Sequence, residues 1–376
     1  MLSGAALFAD VVTYDGFGEH RTGSPGAERA LDWIARELER AGLQVADQRF
    51  TAGRQYDFGS GSLAVGGTRR PVMPHWWPPG SQPGFALSAP IAPAGFARLS
   101  LPFEGGAYLG ADAAAAVRQA CAARPTALLL TIEHPSGEIF TYNVDQDQAP
   151  WPVPVILVAP RDRPLLDRAE LTGEQITVSV DGRWQPELRT RNVIGRLARG
   201  TGRTVVVSTP VTSWFTSTCE RGPGIAGFLG LARIAASRWP GADFVFVATA
   251  GHEIGHGGME TFLATGAPSP SETVAWAHLG ASLACRAEPR RVVLCSDAVT
   301  DTVRRGFGGL GVPLRTGPQA RVGELRDVLA AGYPRCFGMA GTHRFFHTPA
   351  DRAELTGPEL LEPVIDAFAR TLDALL

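Results

Sequence analysis

Two histidines and a glutamate stand close together in the segment GHEIGHGGME, residues 251–260. On a helix, His252 and His256 would lie one turn apart on the same face and could bind one zinc ion, with Glu253 as a general base. The preceding FVFVATA is rich in β-branched and aromatic residues, and each of the segment's glycines costs about 1 kcal/mol in a helix interior. We therefore predict that a strand ends here and enters a loop, and that His256 is a loop residue rather than a metal ligand.

A second interpretation places metal chemistry at the ends of several strands. In open α/β folds, ligands collect at the carboxyl ends of strands, where loops bring side chains together. His252 and Glu253 follow one predicted strand, Glu220 follows another, AWAHLG lies at the end of a third, and the loop GTHRFFHTPAD lies just before the final helix. Five histidines fall in this half of the chain, at positions 252, 256, 278, 343 and 347. This pattern favours a metal centre over a set of isolated structural histidines.

Alternating strands and helices must position these groups. The segment SPGAERALDWIARELERAG predicts a helix, because Ser24 can cap it, Pro25 suits its first position and Gly42 can end it. Further predicted helices are GIAGFLGLARIAASRW, METFLAT and ELLEPVIDAFARTLDALL, and predicted strands are LQVADQRF, NVIGRL, TVVVSTP, FVFVATA and RVVLCSD. This alternation predicts an α/β fold with a mixed, largely parallel sheet.

The middle of the chain has a different composition. RRPVMPHWWPPGSQPG is so rich in proline and glycine that we expect no regular element to run through it. Strands are predicted at ALLLTIE, VPVILVAP and ITVSV. We interpret 52–187 as an inserted β-rich lobe, in which His75 and the two tryptophans after it pack a loop. Residues 1–51 and 188–376 then form the main domain.

Composition and charge narrow the class of protein. The 376 residues are 44% apolar and 19% charged, and the formal net charge is -2, without a long run of one sign. We therefore expect no nucleic-acid partner, and the absence of a long apolar stretch predicts no membrane association. The start, MLSGAALFADVV, lacks the basic region of a signal peptide, and the five cysteines form no CxxC pair. We expect a cytoplasmic protein with reduced, mostly buried thiols.

Several segments together resemble the zinc-dependent aminopeptidase-like family, which includes bacterial leucyl aminopeptidases, glutamate carboxypeptidases and glutaminyl cyclases. HRTGSPGAERALDWIARELERAGLQV is similar to the family's opening helix, and RNVIGRL to the strand that enters its catalytic sheet. FVFVATAGHEIGHGGMETF resembles the segment with the paired glutamates, and GYPRCFGMAGTHRFFHTPADRAEL resembles the closing HTPxD motif. The resemblance implies a zinc exopeptidase-like fold, with helices on both sides of the sheet, and makes 52–187 similar to a protease-associated insert.

The resemblance also implies a metal site that departs from the family pattern. The positions of one histidine ligand and of the aspartate in its motif hold Pro210 and Thr212 here. The general-base glutamate is replaced by His252, and a later aspartate ligand by His278. The ligands that remain are Glu220, Glu253 and His347. The resemblance thus implies one zinc ion per chain rather than two, with His278 as a fourth ligand or a catalytic group.

Two classes of function follow from this site. The first is a metal-dependent hydrolase of a peptide or amide bond in a small substrate, such as a dipeptide or an amino-acid amide. One zinc would polarise the carbonyl, and His252 would take a proton from water in place of the usual glutamate. A zinc aminoacyl cyclotransferase is a related alternative. The second class is a catalytically inactive family member that binds a ligand or a partner.

Three further residues are candidates for substrate binding. Arg221 could bind a substrate carboxylate, or it could pair with Glu220 in a site that holds no metal. Glu324 could face the site near the last strand or cap a helix in solvent, and His343 could line the pocket. Cys219 is expected to be a buried, inert thiol rather than a zinc ligand. These alternatives stay open at the level of sequence, as does the oligomeric state.

Overall fold

The computed structural model describes residues 3–75, 78 and 84–376. The helices are α1 (Gly4–Asp15), α2 (Pro25–Arg40), α3 (Ala111–Ala122), α4 (Arg163–Thr172), α5 (Thr218–Arg238), α6 (Gly257–Thr265), α7 (Thr300–Phe307), α8 (Leu325–Ala330) and α9 (Pro358–Leu375). The strands are β1 (Gln44–Thr51), β2 (Gln55–Val65), β3 (Thr68–Pro71), β4 (Met73–Pro74), β5 (Phe85–Ala89), β6 (Phe96–Pro102), β7 (Ala127–Glu133), β8 (Val155–Leu157), β9 (Ile176–Gln185), β10 (Arg189–Leu197), β11 (Thr204–Pro210), β12 (Asp243–Thr249), β13 (Thr273–Leu279), β14 (Arg290–Cys295), β15 (Leu314–Thr316) and β16 (Cys336–Thr342).

The chain forms two compact units. The first unit comprises Met1–Ala52, Arg189–Phe346 and Ala350–Leu376, and the second comprises Gly53–Leu188 with His347–Pro349. Whether the second unit is related to protease-associated inserts stays a prediction.

An eight-stranded sheet forms the centre of the first unit, in the order β1-β10-β12-β11-β13-β16-β14-β15. Its middle strands β12, β11, β13 and β16 are parallel neighbours, whereas β1, β10 and β14 pair antiparallel with their neighbours β10, β12 and β16. Apolar side chains of α1, α2, α5, α7 and α9 pack on one face, and those of α6 and α8 pack on the other. The predicted α/β class, with a mixed, largely parallel sheet between helices, is confirmed.

Local sequence signals explain where the helices of the first unit begin and end. The hydroxyl of Ser24 accepts a hydrogen bond from the amide of Ala27, and Pro25 occupies the first turn of α2. Gly42 follows this helix at φ +84°, a conformation that favours glycine. Helix α5 approaches β13 closely at Gly224, where an added Cβ would lie 2.9 Å from the carbonyl oxygen of Gly280.

The second unit contains two four-stranded sheets, β3-β2-β9-β5 and β4-β8-β7-β6, with helices α3 and α4. The expectation that no regular element enters RRPVMPHWWPPGSQPG is wrong for its first part, because β3 ends and β4 lies within it. Proline is tolerated there because β3 and β4 are edge strands, where a missing amide hydrogen costs no ladder bond. Trp76 and Trp77, expected to pack a loop, lie outside the described residues.

Two further expectations concern the whole described chain. All five cysteines are buried and free, as the sequence predicts. Among the described residues, no helix is both long and apolar enough to span a membrane.

Candidate functional site

The loops after the central parallel strands carry most of the candidate residues of the first unit. Strand β11 ends at Pro210, β12 at Thr249 and β13 at Leu279. Because these strands are parallel, their carboxyl ends lie on the same edge of the sheet, and the loops that follow meet there. This edge is where the sequence places the chemistry.

As predicted, no helix runs through both histidines of the segment GHEIGHGG. A short 3₁₀ turn covers His252–Ile254, and α6 begins only at Gly257. His256 has φ +60°, and its Nδ1 lies 2.8 Å from Oδ2 of Asp327. The two imidazoles stack with ring centroids 4.6 Å apart. The carboxylate of Asp327 therefore holds His256 at the edge of the site.

Glu253 is fully buried, and protein groups hold both of its carboxylate oxygens. The amide and the hydroxyl of Thr22 donate hydrogen bonds to Oε1, at 2.5 and 2.7 Å. The hydroxyl of Thr212 donates to Oε2 at 2.8 Å. Thr212 stands where the resemblance expects an aspartate, and it holds Glu253 through a hydroxyl group.

Glu220 is also fully buried and is paired with the residue next to it. Nη2 of Arg221 lies 2.8 Å from its Oε1, and the hydroxyl of Ser213 donates to its Oε2 at 2.8 Å. Nε of Arg221 donates to the carbonyl oxygen of Thr212 at 3.0 Å. Of the two roles left open for Arg221, the structure contains the ion pair with Glu220. Nη1 of Arg221 is buried and makes no hydrogen bond.

His252 forms a dyad with Glu324. Nδ1 of His252 lies 3.0 Å from Oε1 of Glu324, and the hydroxyl of Thr249 donates to Oε2 of the same carboxyl group at 2.8 Å. Burial, together with the charge of Arg221, holds the pKa of His252 well below its usual value, so the imidazole is neutral. Because the carboxylate accepts, Nδ1 carries the proton and Nε2 keeps its lone pair. Glu324 occupies the N-cap position of α8, as one of the two alternatives from sequence expected, but it is fully buried rather than solvated and its side chain does not cap the helix.

In both His278 and His347, the ring nitrogen Nδ1 contacts an oxygen atom of another residue. Nδ1 of His278 lies 2.9 Å from the hydroxyl of Ser208, and burial lowers the pKa of this histidine to about 4. His347 is part of the second unit, where its Nδ1 lies 3.0 Å from the carbonyl oxygen of Thr141. In each case Nδ1 is engaged within the histidine's own unit.

His343, proposed from sequence to line a pocket, faces other buried residues. Its Nε2 lies 3.4 Å from Oδ2 of Asp351. Burial alone would lower its pKa, but Asp351 and Cys285 beside it raise the pKa to about 10. Asp351 also accepts the backbone amides of Cys219 and Glu220, at 2.7 and 3.1 Å, and so anchors the first turn of α5.

These contacts test whether the predicted ligands fit a zinc ion. Zinc requires donor atoms about 2 Å from one point. Within the described part of the chain, the only three or more His, Cys, Asp or Glu residues whose donor atoms lie within 4.8 Å of one another are Cys219, Cys285 and His343. As arranged, Glu220 and Glu253 are engaged by Arg221, serine and threonines and do not fit a shared zinc. The ligand set inferred from sequence stays a prediction, and no chemical step is derived through it.

Sequence reasoning missed two residues that shape the site. Thr22 donates hydrogen bonds to Glu253, which lies 231 positions later in the sequence, and nothing in HRTGSPG predicts such a contact. Asp351 was detectable, because it is the aspartate of the HTPAD segment that resembles the family's closing motif.

Comparisons with known proteins now bear on this geometry. No family model matches the chain, and no curated protein sequence matches it either. Among solved structures, a zinc aminopeptidase from Bacillus subtilis is similar, with a TM-score of 0.77 and 17% identity over 100% of this chain and 95% of that one. An aminopeptidase from an Aneurinibacillus strain has a TM-score of 0.65 and 16% identity, over 99% of this chain and 93% of its own.

A third neighbour is a glutaminyl cyclase from Porphyromonas gingivalis, with a TM-score of 0.54 and 12% identity, over 100% of this chain and 99% of that chain. At these identities the likeness is one of fold. The chain therefore has the fold of the zinc aminopeptidases, as the resemblance of its segments implied.

Proposed function

We propose that this protein hydrolyses a peptide or amide bond in a small substrate, with His252 as the general base and Arg221 in place of a metal as the carbonyl-polarising group. The observation that carries the proposal is the dyad of His252 and Glu324, with Nδ1 and Oε1 3.0 Å apart. A histidine oriented by a carboxylate is the usual arrangement of a general base that activates water or a hydroxyl group. The aminopeptidase neighbours support the choice of peptide or amide bonds.

His252 moves protons at both ends of the reaction. Its Nε2 takes a proton from water as the water oxygen bonds to the carbonyl carbon, and Glu324 stabilises the imidazolium that forms. The same proton then passes to the leaving nitrogen as the carbon–nitrogen bond breaks. The lowered pKa keeps His252 neutral and ready before the reaction, and it makes the imidazolium a strong acid for the leaving amine.

Arg221 supplies the fixed positive charge. Its guanidinium is buried, and Nη1 has a proton without a hydrogen-bond acceptor. A buried, preorganised donor of this kind stabilises the negative charge that develops on a carbonyl oxygen. Glu220 balances the guanidinium in the absence of substrate and fixes its position through the contact at 2.8 Å.

Binding without turnover is a second candidate, and a specific observation favours it. Glu253, at the position of a family metal ligand, is locked by Thr22 and Thr212, and the base position beside it holds a histidine. A scaffold of this kind could hold the carbonyl or carboxylate of a small peptide-like ligand on Arg221 and leave it intact.

A substrate panel with a chelator separates these candidates. Amino-acid amides, dipeptides and peptides with N-terminal glutamine would be tested with the wild type, His252→Asn and Glu324→Gln, each with and without chelator. We expect chelator-resistant hydrolysis that falls about 10²–10⁴-fold in His252→Asn. His134→Asn, a buried histidine of the second unit, is the matched control and should keep full activity.

Three outcomes would overturn the proposal. Ligand binding by calorimetry without any product would support the second candidate. Activity that a chelator abolishes and zinc restores, with loss in Glu253→Gln, would return zinc to the mechanism. Cyclisation of the glutamine peptides without hydrolysis of the others would assign the chain to aminoacyl transfer.

A further inference from the structure

Two cysteines and a histidine from three separate elements converge in the interior of the first unit. Cys219 lies in the first turn of α5, Cys285 in the loop after β13, and His343 directly after β16. One donor atom from each lies within 4.8 Å of the others, and all three residues are buried. We call this group the thiol cluster. The proposed hydrolysis uses none of its members.

The backbone around the thiol cluster fixes its shape. The amide of Ser282 donates to the carbonyl oxygen of Glu220 at 2.8 Å, which ties the loop after β13 to the start of α5. The amide of Ala287 lies 3.4 Å from the sulfur of Cys285, and the amide of Phe345 lies 3.2 Å from Nδ1 of His343. The donor atoms are therefore brought together by tertiary structure and not by chance proximity of flexible side chains.

Asp351 lies beside the histidine of the thiol cluster. Its Oδ2 lies 3.4 Å from Nε2 of His343, and that buried nitrogen makes no hydrogen bond. Ligand atoms on a tetrahedral zinc ion are about 3.3–3.8 Å apart, given bond lengths of about 2.0 Å to nitrogen or oxygen and about 2.3 Å to sulfur. The donor atoms of Cys219, Cys285 and His343 all lie within 4.8 Å of one another, so the cluster has the dimensions of such a site.

The geometry points to a zinc site in the thiol cluster, formed by Cys219, Cys285 and His343, with Asp351 beside the histidine. Thiolates and an imidazole select zinc among the common divalent ions. The ion would join α5, the loop after β13 and the loop after β16 at one point. This assignment revises the expectation that Cys219 is an inert thiol.

Zinc binding would displace protons from the site. Both thiols release their protons to solvent, and His343 binds through Nε2 with one proton on Nδ1. The hydrogen bond from Phe345 to Nδ1 is given up in exchange for the metal bonds. No bond between non-hydrogen atoms of the protein forms or breaks, and no electron is transferred.

Metal analysis of the reduced, full-length protein tests the site. After exposure to zinc and removal of excess metal, we expect about one equivalent in the wild type and less than a tenth of that in Cys219→Ser and in Cys285→Ser. Cys121→Ser, a buried free cysteine of the second unit, is the matched control and should keep the metal. Glu253→Gln should also keep it, which separates this site from the ligands inferred by family resemblance.

Two further readouts do not depend on activity. X-ray absorption at the zinc edge should show two sulfur neighbours at about 2.3 Å in the wild type. A chelator should lower the melting temperature of the wild type and leave that of Cys285→Ser unchanged, so a variant that merely folds poorly is recognised.

Other results would overturn the proposal. These are a wild type that takes up no zinc, zinc surrounded only by nitrogen and oxygen, and zinc retained in both cysteine variants. A disulfide between Cys219 and Cys285, detected by mass as the loss of two hydrogens from protein purified under reducing conditions, would also contradict it. Since hydrolysis is proposed to resist chelators, loss of this zinc and loss of turnover can be told apart.

Discussion

Replacement of Arg221 by methionine should destabilise the protein, because it leaves the buried charge of Glu220 without a compensating cation. Both side chains are buried, and Nη2 lies 2.8 Å from Oε1. At an effective dielectric constant of about 20, Coulomb's law gives about 6 kcal/mol for two unit charges at this distance. Removal of one partner of such a pair costs about 3–5 kcal/mol, since the other charge stays buried and uncompensated.

The double variant Glu220→Gln with Arg221→Met should recover most of that loss. Substitution of a whole buried ion pair by neutral groups of similar volume is close to neutral, so we expect a coupling energy of at least about 3 kcal/mol. Equilibrium urea unfolding of the wild type, both single variants and the double variant, with chelator present, gives the four free energies of unfolding.

An exposed ion pair between α5 and α9 serves as the control. Arg238 and Asp373 form an ion pair at 2.6 Å, but more than a third of each side chain is exposed. Their coupling energy should stay below about 1 kcal/mol. If the coupling between Arg221 and Glu220 is equally small, the two charges do not compensate each other, and the metal-free arrangement of the site is refuted.

Three other predictions follow from single contacts. Burial lowers the pKa of His20 to about 4, below its unfolded value near 6.5. The contribution of neutral His20 to the free energy of unfolding, about 3 kcal/mol, is therefore complete above pH 6.5 and is lost as the pH falls towards 4. In urea unfolding, the free energy of unfolding of His20→Gln should fall less steeply with decreasing pH than that of the wild type, and equal slopes would contradict this. Thr212→Val should lower the free energy of unfolding by about 2–3 kcal/mol, because Oε2 of Glu253 loses its hydrogen bond, and a change within 0.5 kcal/mol or so would count against that contact. Gly258→Ala should impair folding in a thermal melt, because its Cβ would overlap a backbone carbonyl oxygen, whereas Gly241→Ala, with open space around it, should melt like the wild type.

Much of the first unit could be predicted from the sequence because local signals and burial agree there. The cap at Ser24 and the stop at Gly42 define α2, and the apolar runs of the parallel strands define the sheet. Strand β16 was not predicted, because its sequence CFGMAGT contains two glycines, which weaken any strand pattern. It forms because β13 and β14 flank it on both sides.

The sequence predicts where the site lies but not which of its side chains contact one another. The histidines and acids at the strand ends were predictable, because parallel strands bring their carboxyl ends together. The contacts that decide the chemistry join residues far apart in the chain, such as Thr22 with Glu253 and Cys219 with Cys285. Whether Arg221 would pair with Glu220 depends on side-chain rotamers, which a sequence pattern does not specify.

The most direct test of the account is a crystal structure of zinc-treated protein with diffraction data from both sides of the zinc absorption edge. The account predicts an anomalous peak about 2.3 Å from the sulfurs of Cys219 and Cys285, with Glu220 still paired to Arg221. A peak about 2 Å from the carboxylates of Glu220 and Glu253 would contradict it.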